Sequence, residues 1–232
     1  MPLGSALGRR WVGSSWSALG ALLAPPLCWG CDGPARRGDP LCRTCRGLLQ
    51  RLPGEPVWLS GVRVWAPVAY SGPARDLVRA LKFRGATGVA DAMAAQLVAN
   101  APPGWLDEAR EGAGLLGRFT LVPVPLHRRR LRSRGYNQAA VLAAVLARRA
   151  GLAVADCLAR TGPGVTQVGR HRAERRAGPV GAIEVAGPAP ARVLLVDDVV
   201  TTGATLAACR PALVAAGSVE VAAVVFARTL GR

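Results

Sequence analysis

The pattern of apolar and polar positions is sharpest at Val193-Leu194-Leu195-Val196-Asp197-Asp198-Val199-Val200-Thr201-Thr202-Gly203-Ala204-Thr205-Leu206. Four branched apolar residues in a row, bounded by polar and turn-forming residues, predict a strand buried on both faces, as in a parallel sheet. The strand is expected to end at Asp197 and Asp198. A turn and a helix over about 202–216 follow, bent near Pro211, and residues 219–227 close as a second buried strand. Upstream, the alternation of Val62, Val64, Ala66 and Val68 predicts strand structure within 57–70, with a hairpin turned at Ser60-Gly61. Residues 119–125 predict another strand, with Pro123 and Pro125 at its C-terminal end, where ladder donors are expendable.

Helical spacing appears between these strands. Pro73 suits a first helical turn, with Leu77, Val78 and Leu81 on one face, and Lys82-Phe83-Arg84-Gly85 ends that helix. A second helix is expected over Val89–Asn100 and a third after Gly135 or Asn137, carrying Val141, Leu142, Val145 and Leu146. Residues 182–185 predict a short strand. Strands alternating with helices indicate an α/β fold around a parallel sheet. Residues 1–24 contain Arg9-Arg10 and a mildly apolar run, but Ser14, Ser15, Ser17 and Gly20 dilute it. A short amphipathic helix over 16–23 is expected there rather than an export signal.

Cys28, Cys31, Cys42 and Cys45 have the spacing C-x2-C-x10-C-x2-C. Two such pairs offer four thiolates to one tetrahedral ion, and four sulfurs leave no open position, so structural Zn²⁺ is the expected occupant. Disulfide pairing is the alternative. The chain is thus expected to comprise an N-terminal segment (1–24), a zinc-ribbon-like module (25–52) and a larger α/β domain (57–232). Cys157 and Cys209 stand among apolar neighbours as small buried hydrophobes.

Composition changes the picture mainly through charge. The 232 residues carry 30 Lys and Arg against 14 Asp and Glu, a formal net charge of +16, and Lys82 is the sole lysine. That excess predicts an anionic partner, either a phosphorylated ligand or a nucleic acid. Half of the residues are hydrophobic. Yet no run of about 18 uninterrupted apolar residues is present to span a bilayer, so a cytoplasmic protein without a membrane span is expected. Five arginines fall within residues 128–134, directly after the strand at 119–125. Ligands in open α/β sheets bind beyond the carboxyl ends of strands, which makes this an expected phosphate-binding loop. Lys82 and Arg84 are either such a basic group or a complement to their helix dipole.

The turn after Asp198 can aim backbone N–H groups, threonine hydroxyls and a helix N-terminus at one anion. The two carboxylates suit sugar hydroxyls, or a magnesium ion brought by a polyphosphate. Together they point to a phosphorylated sugar, against the alternative of an ordinary strand–loop–helix with surface acids. The stretch resembles the 5-phosphoribosyl-1-pyrophosphate (PRPP) loop of type I phosphoribosyltransferases. That resemblance implies the type I phosphoribosyltransferase fold, with Asp197 and Asp198 on the ribose hydroxyls and Mg²⁺. It also puts Thr201, Thr202, Gly203, Ala204 and Thr205 on the 5-phosphate. Pro123-Val124-Pro125-Leu126-His127, Arg134-Gly135-Tyr136-Asn137-Gln138, Lys82-Phe83-Arg84-Gly85 and the cysteine module further resemble the ComF (competence protein F) family over most of residues 21–230.

By position in that family, Leu126, His127 and Arg128 would contact pyrophosphate, and residues 160–179 would form a flexible lid bringing Gln167, Arg172 and Arg175 over the ligand. Purine-salvage relatives carry an acid where this chain has Thr201, so their catalytic base is missing here. Three functions remain open. One is a PRPP-binding protein of DNA uptake or recombination that handles single-stranded DNA through Lys82, Arg84, Arg129, Arg130, Arg132 and Arg134, with other uptake or recombination proteins as candidate partners. The others are an active phosphoribosyltransferase with an unidentified base or amine acceptor, and a PRPP-sensing regulator. Trp29, Trp58, Trp65, Phe83 and Tyr136 are the obvious stacking platforms.

Overall fold

The computed structural model describes residues 26–106, 117–160 and 183–231. The expected helix over 16–23 and the expected lid residues Gln167, Arg172 and Arg175 lie outside the described residues. In chain order the elements are α1 (Arg43–Gly47), β1 (Val57–Leu59), β2 (Val62–Trp65), β3 (Val68–Ala69), α2 (Gly72–Phe83), α3 (Val89–Asn100) and β4 (Thr120–Pro123). Then follow α4 (Arg128–Arg134), α5 (Gln138–Ala150), β5 (Leu158–Arg160), β6 (Ile183–Val185), β7 (Arg192–Val200), α6 (Ala204–Ala215) and β8 (Glu220–Arg228).

The main sheet has the order β1-β2-β8-β7-β4, with β3 pairing further along β8. All of its pairings are parallel except β1 with β2. The expected hairpin forms at Ser60-Gly61, where both residues have positive φ (48° and 80°), as a tight hairpin turn requires. Side chains of β7 alternate between two apolar layers. Leu194 and Val196 meet α2, α3 and α5 through Leu77, Leu81, Met93, Leu97, Leu142 and Leu146. Val193 and Leu195 meet α6 through Leu206, Cys209 and Leu213. Helices thus cover both faces, as the unbroken apolar run requires.

The sequence pattern places the end of the strand at the acids, but β7 continues through Val200. Its partner β8 is equally long and pairs Val199 with Ala227 and Val200 with Arg228. On the other side, β4 pairs only as far as Pro123 with Val196, and Val124 N–H donates to the Val196 carbonyl at 3.0 Å. From Asp197 onward, therefore, β7 is paired on one edge only. The chain also leaves β4 through α5 on one face and leaves β7 through α6 on the other. Such a switch point opens a crevice at the carboxyl ends of the two strands.

At the opposite end of the sheet, Glu220 accepts from Arg192 Nε at 2.8 Å and from Arg63 at 3.1 Å. The two guanidinium groups lie 4.1 Å from the Phe119 ring centroid and 5.1 Å from that of Trp105. The cysteine module is joined to the main sheet by backbone bonds, Leu52 N–H to Pro67 O and Ala69 N–H to Gln50 O. Leu41, Cys45 and Leu49 belong to the same apolar cluster as α2 and α3. Among the described residues, no helix is long and apolar enough to cross a membrane.

Candidate functional site

The crevice is a cavity of about 860 Å³. Its walls come from the end of α2 (Lys82, Phe83, Gly85), the segment after β4 (Val124, Pro125, Leu126), α4, Tyr136, Gln138, Arg160, Asp197, Asp198 and Thr205. The two acids are adjacent in a strand, so they point to opposite faces. Asp198 follows Leu194 and Val196 to the α2 side, where its Oδ1 lies 3.0 Å from Lys82 Nζ. Its side chain is 1% exposed against 23% for Lys82. Asp198 Oδ2 is buried and has no partner among the described residues. Asp197 points to the α6 side, half-buried, and accepts the Asp198 N–H at 2.8 Å. Burial, and then the neighbouring Asp198 charge, hold its carboxyl well above the usual carboxylate range, against the lesser pull of the Asp198 N–H and Lys82.

The arginine-rich segment expected as a loop is a short helix, α4, with no buried residue. His127 caps it, its Nδ1 accepting from Arg129 N–H at 3.2 Å, and Gly135 ends it at φ 83°. Helical spacing then divides the arginines. Arg129, Arg130 and Arg134 line the cavity, whereas Arg128 and Arg132 do not. Arg84 also turns away, its guanidinium 5.6 Å from the Trp29 ring of the cysteine module. Of the expected pyrophosphate residues, Leu126 lines the cavity, whereas His127 and Arg128 do not.

Residues 134–138 hold these parts together. Arg134 Nη1 donates to Gln138 Oε1, and its guanidinium lies 5.3 Å from the Phe83 ring centroid. Tyr136 O–H donates to the Leu81 carbonyl. Asn137 works at both ends, its Oδ1 accepting from Ala139 N–H to cap α5 and its Nδ2 donating to Val124 O, both at 3.0 Å. One short block thus fixes α4, α5, the end of α2 and the end of β4 around the cavity.

Of the threonine-rich stretch, Thr205 lines the cavity, while Thr201, Thr202 and Gly203 form the adjoining bend and Ala204 opens α6. Gly203 has φ 80°, and a Cβ there would meet Leu59 Cβ at 3.0 Å, so only glycine fits beneath the hairpin. Ser60 Oγ donates to Thr202 O at 2.8 Å and pins the bend from the same side. Sequence reasoning missed Arg160, whose Nε is buried without a partner among the described residues. The available signal was its place at the carboxyl end of a strand, but β5 was too short to read.

Lys82, Arg129, Arg130, Arg134 and Arg160 outnumber the two acids in the lining. With Lys82 already on Asp198, a bare Mg²⁺ does not fit this field. A phosphorylated anion does.

The four module cysteines have their sulfur atoms within 4.8 Å of one another. Cys31 and Cys42 sulfurs are 3.8 Å apart. That matches the edge of about 3.8 Å expected for a tetrahedron with Zn–S bonds of about 2.3 Å. Backbone N–H groups of Gly30 and Cys42 point at Cys28 Sγ (3.4 and 3.2 Å), and that of Cys45 at Cys42 Sγ (3.5 Å). Burial would raise the Cys28 thiol, but these donors outweigh it and bring it down to about 6, while burial and neighbouring thiols push Cys45 up. The donor set fits a closed, structural zinc site. Cys157 and Cys209 are buried, and burial raises both thiols, to about 12 at Cys209.

No family profile matches the chain. It is 31% identical over 232 residues to the DNA utilization protein YhgH of Escherichia coli O157:H7, covering 99% of this chain and 95% of that protein. Against the protein of the same name in Escherichia coli K12 the identity is 31% over 206 residues, covering 88% and 85%. For that of Salmonella typhimurium LT2 it is 31% over 232 residues, covering 90% and 100%. At that identity over nearly the whole length, the chain belongs to the family of the DNA utilization protein YhgH.

Proposed function

We propose that the cavity binds a ribosyl phosphate of the PRPP type on a phosphoribosyltransferase fold, and that the protein uses this site in handling single-stranded DNA. The observation that carries this reading is that the acidic pair near the carboxyl end of β7 and the arginines of α4 line one cavity. Carboxylates accept hydrogen bonds from sugar hydroxyls, and guanidinium groups bind phosphate oxygens with fixed geometry. The buried Asp198 Oδ2 and Arg160 Nε are polar atoms that such a ligand would satisfy. Mg²⁺ enters this reading only with the polyphosphate, held by Asp197 and Asp198, where it would neutralise phosphate charge. Gln167, Arg172 and Arg175 are assigned to a covering lid. The DNA role draws support from the relatives' name, DNA utilization protein, and from the net charge of +16, which exceeds what one pyrophosphate needs.

Calorimetric titration of PRPP with Mg²⁺ tests the site. Wild type is expected to bind and Asp197→Asn/Asp198→Asn to lose binding. An inert wild type refutes the PRPP reading. Anisotropy of a fluorescent single strand against salt tests the second half. Replacing Arg129 and Arg130 by alanine should flatten the log–log slope by about 0.7 for each phosphate no longer neutralised. Pyrophosphate release stimulated by a base or amine would turn the account into one of active transfer. Thr201 stands where that step would want an acid, so the transfer reading is the weaker of the two.

A further inference from the structure

Phe83 is the last residue of α2 and 73% exposed, although it lines the cavity. Leaving such a ring in water forgoes the gain of burying it. Its neighbours fix it there. Lys82 reaches inward to Asp198 at 3.0 Å, and Arg84 reaches sideways to the Trp29 ring. Phe83 is therefore held at the mouth of the cavity. Beside it stands Arg134, 5.3 Å from the ring centroid and tethered to Gln138. The remainder of the ring is open.

We propose that Phe83 and Arg134 form a stacking ledge for a nucleobase, so that the cavity receives the end of a single-stranded nucleic acid. This rests on the reading of the cavity as a phosphate site. A planar ring beside a held guanidinium suits a flat heterocycle, by stacking and by cation–π contact. Arg129, Arg130 and Arg160 lie in the same cavity to take the attached phosphate. The strand, rather than a free nucleotide, is favoured by Arg128 and Arg132, which are exposed on α4 outside the cavity and extend the positive surface beyond it.

The test uses the full zinc-loaded chain and four probes: inorganic pyrophosphate, thymidine 5′-phosphate, a short fluorescent oligothymidylate, and the same oligonucleotide abasic at both ends. Wild type should prefer the base-bearing oligonucleotide by roughly 10-fold, the range expected for one stacked base. Phe83→Ala should erase that preference and Phe83→Trp should retain it. Equal affinity of wild type for the two oligonucleotides, with pyrophosphate still bound, overturns the ledge and leaves the phosphate reading standing. Binding to none of the four probes sinks both. Thymidine 5′-phosphate binding as tightly as the oligonucleotide would overturn the strand as occupant.

Discussion

Replacing Lys82 by methionine isolates the contact on which the acidic pair depends. The Lys82–Asp198 pair is 3.0 Å long, with the carboxylate 1% exposed and the ammonium 23% exposed. Methionine keeps the stem of the side chain and removes the charge. Asp198 is then a buried carboxylate with Oδ1 unpaired beside an Oδ2 that already lacks a partner among the described residues. Breaking a buried pair from one side costs about 3–5 kcal/mol. The partial exposure of Lys82 lets water approach, so a loss of about 3 kcal/mol is expected, the lower end of that range. That is roughly a 100-fold drop in the folding equilibrium. Asp198→Asn should cost less, because it frees an ammonium that can reach solvent. The double variant should be more stable than Lys82→Met alone. Urea unfolding of the four proteins, zinc-loaded and with unchanged m-values, gives the coupling energy. Lys82→Met within about 0.5 kcal/mol of wild type would show that the pair does not hold Asp198.

Asp197→Asn should behave in the opposite way. Its carboxyl is raised in the folded state, so wild type loses stability as pH rises above the ordinary value of 3.8, and the asparagine variant escapes that loss. Urea midpoints at pH 4 and pH 7.5 should show the variant gaining on wild type at the higher pH. Asn137→Ala removes both the α5 cap and the donor to Val124 O, and a loss of about 1–2 kcal/mol is expected in the same assay. Asn137→Asp should recover only the capping part. Metal analysis should find about one zinc per chain, and chelation or Cys28→Ser should lower the melting temperature, because the module's Leu41, Cys45 and Leu49 share the main apolar cluster.

What the sequence reveals here is what neighbouring residues decide. The apolar run of β7, the hairpin at Ser60-Gly61, the α3 boundaries and the threonine-rich turn at 201–203 are all set within a few positions, and each is readable; the start of α5, expected at Gly135 or Asn137, is at Asn137. The cysteine cluster is readable too, because spacing alone brings the sulfurs together. The rest depends on distant partners. The length of β7 is set by β8, so the acids sit inside the strand rather than past its end. Lys82 meets Asp198 although β4, α4 and α5 intervene along the chain, a pairing no local pattern encodes. The basic run at 128–134 shows its charge but not its division, which appears only once α4 is helical and lies against a cavity.

The Arg192–Glu220–Arg63 cluster has a consequence for how the molecule tolerates change. It ties the amino ends of β7, β8 and β2, while the opposite end of β7 carries the cavity. Anchorage and chemistry are thereby separated along the strand axis. Residues at the carboxyl edge can be exchanged without disturbing this cluster. A substitution at Glu220 would remove contacts to β7 and β2 without touching the cavity walls. For anyone re-engineering this scaffold, the amino edge is the part to leave alone.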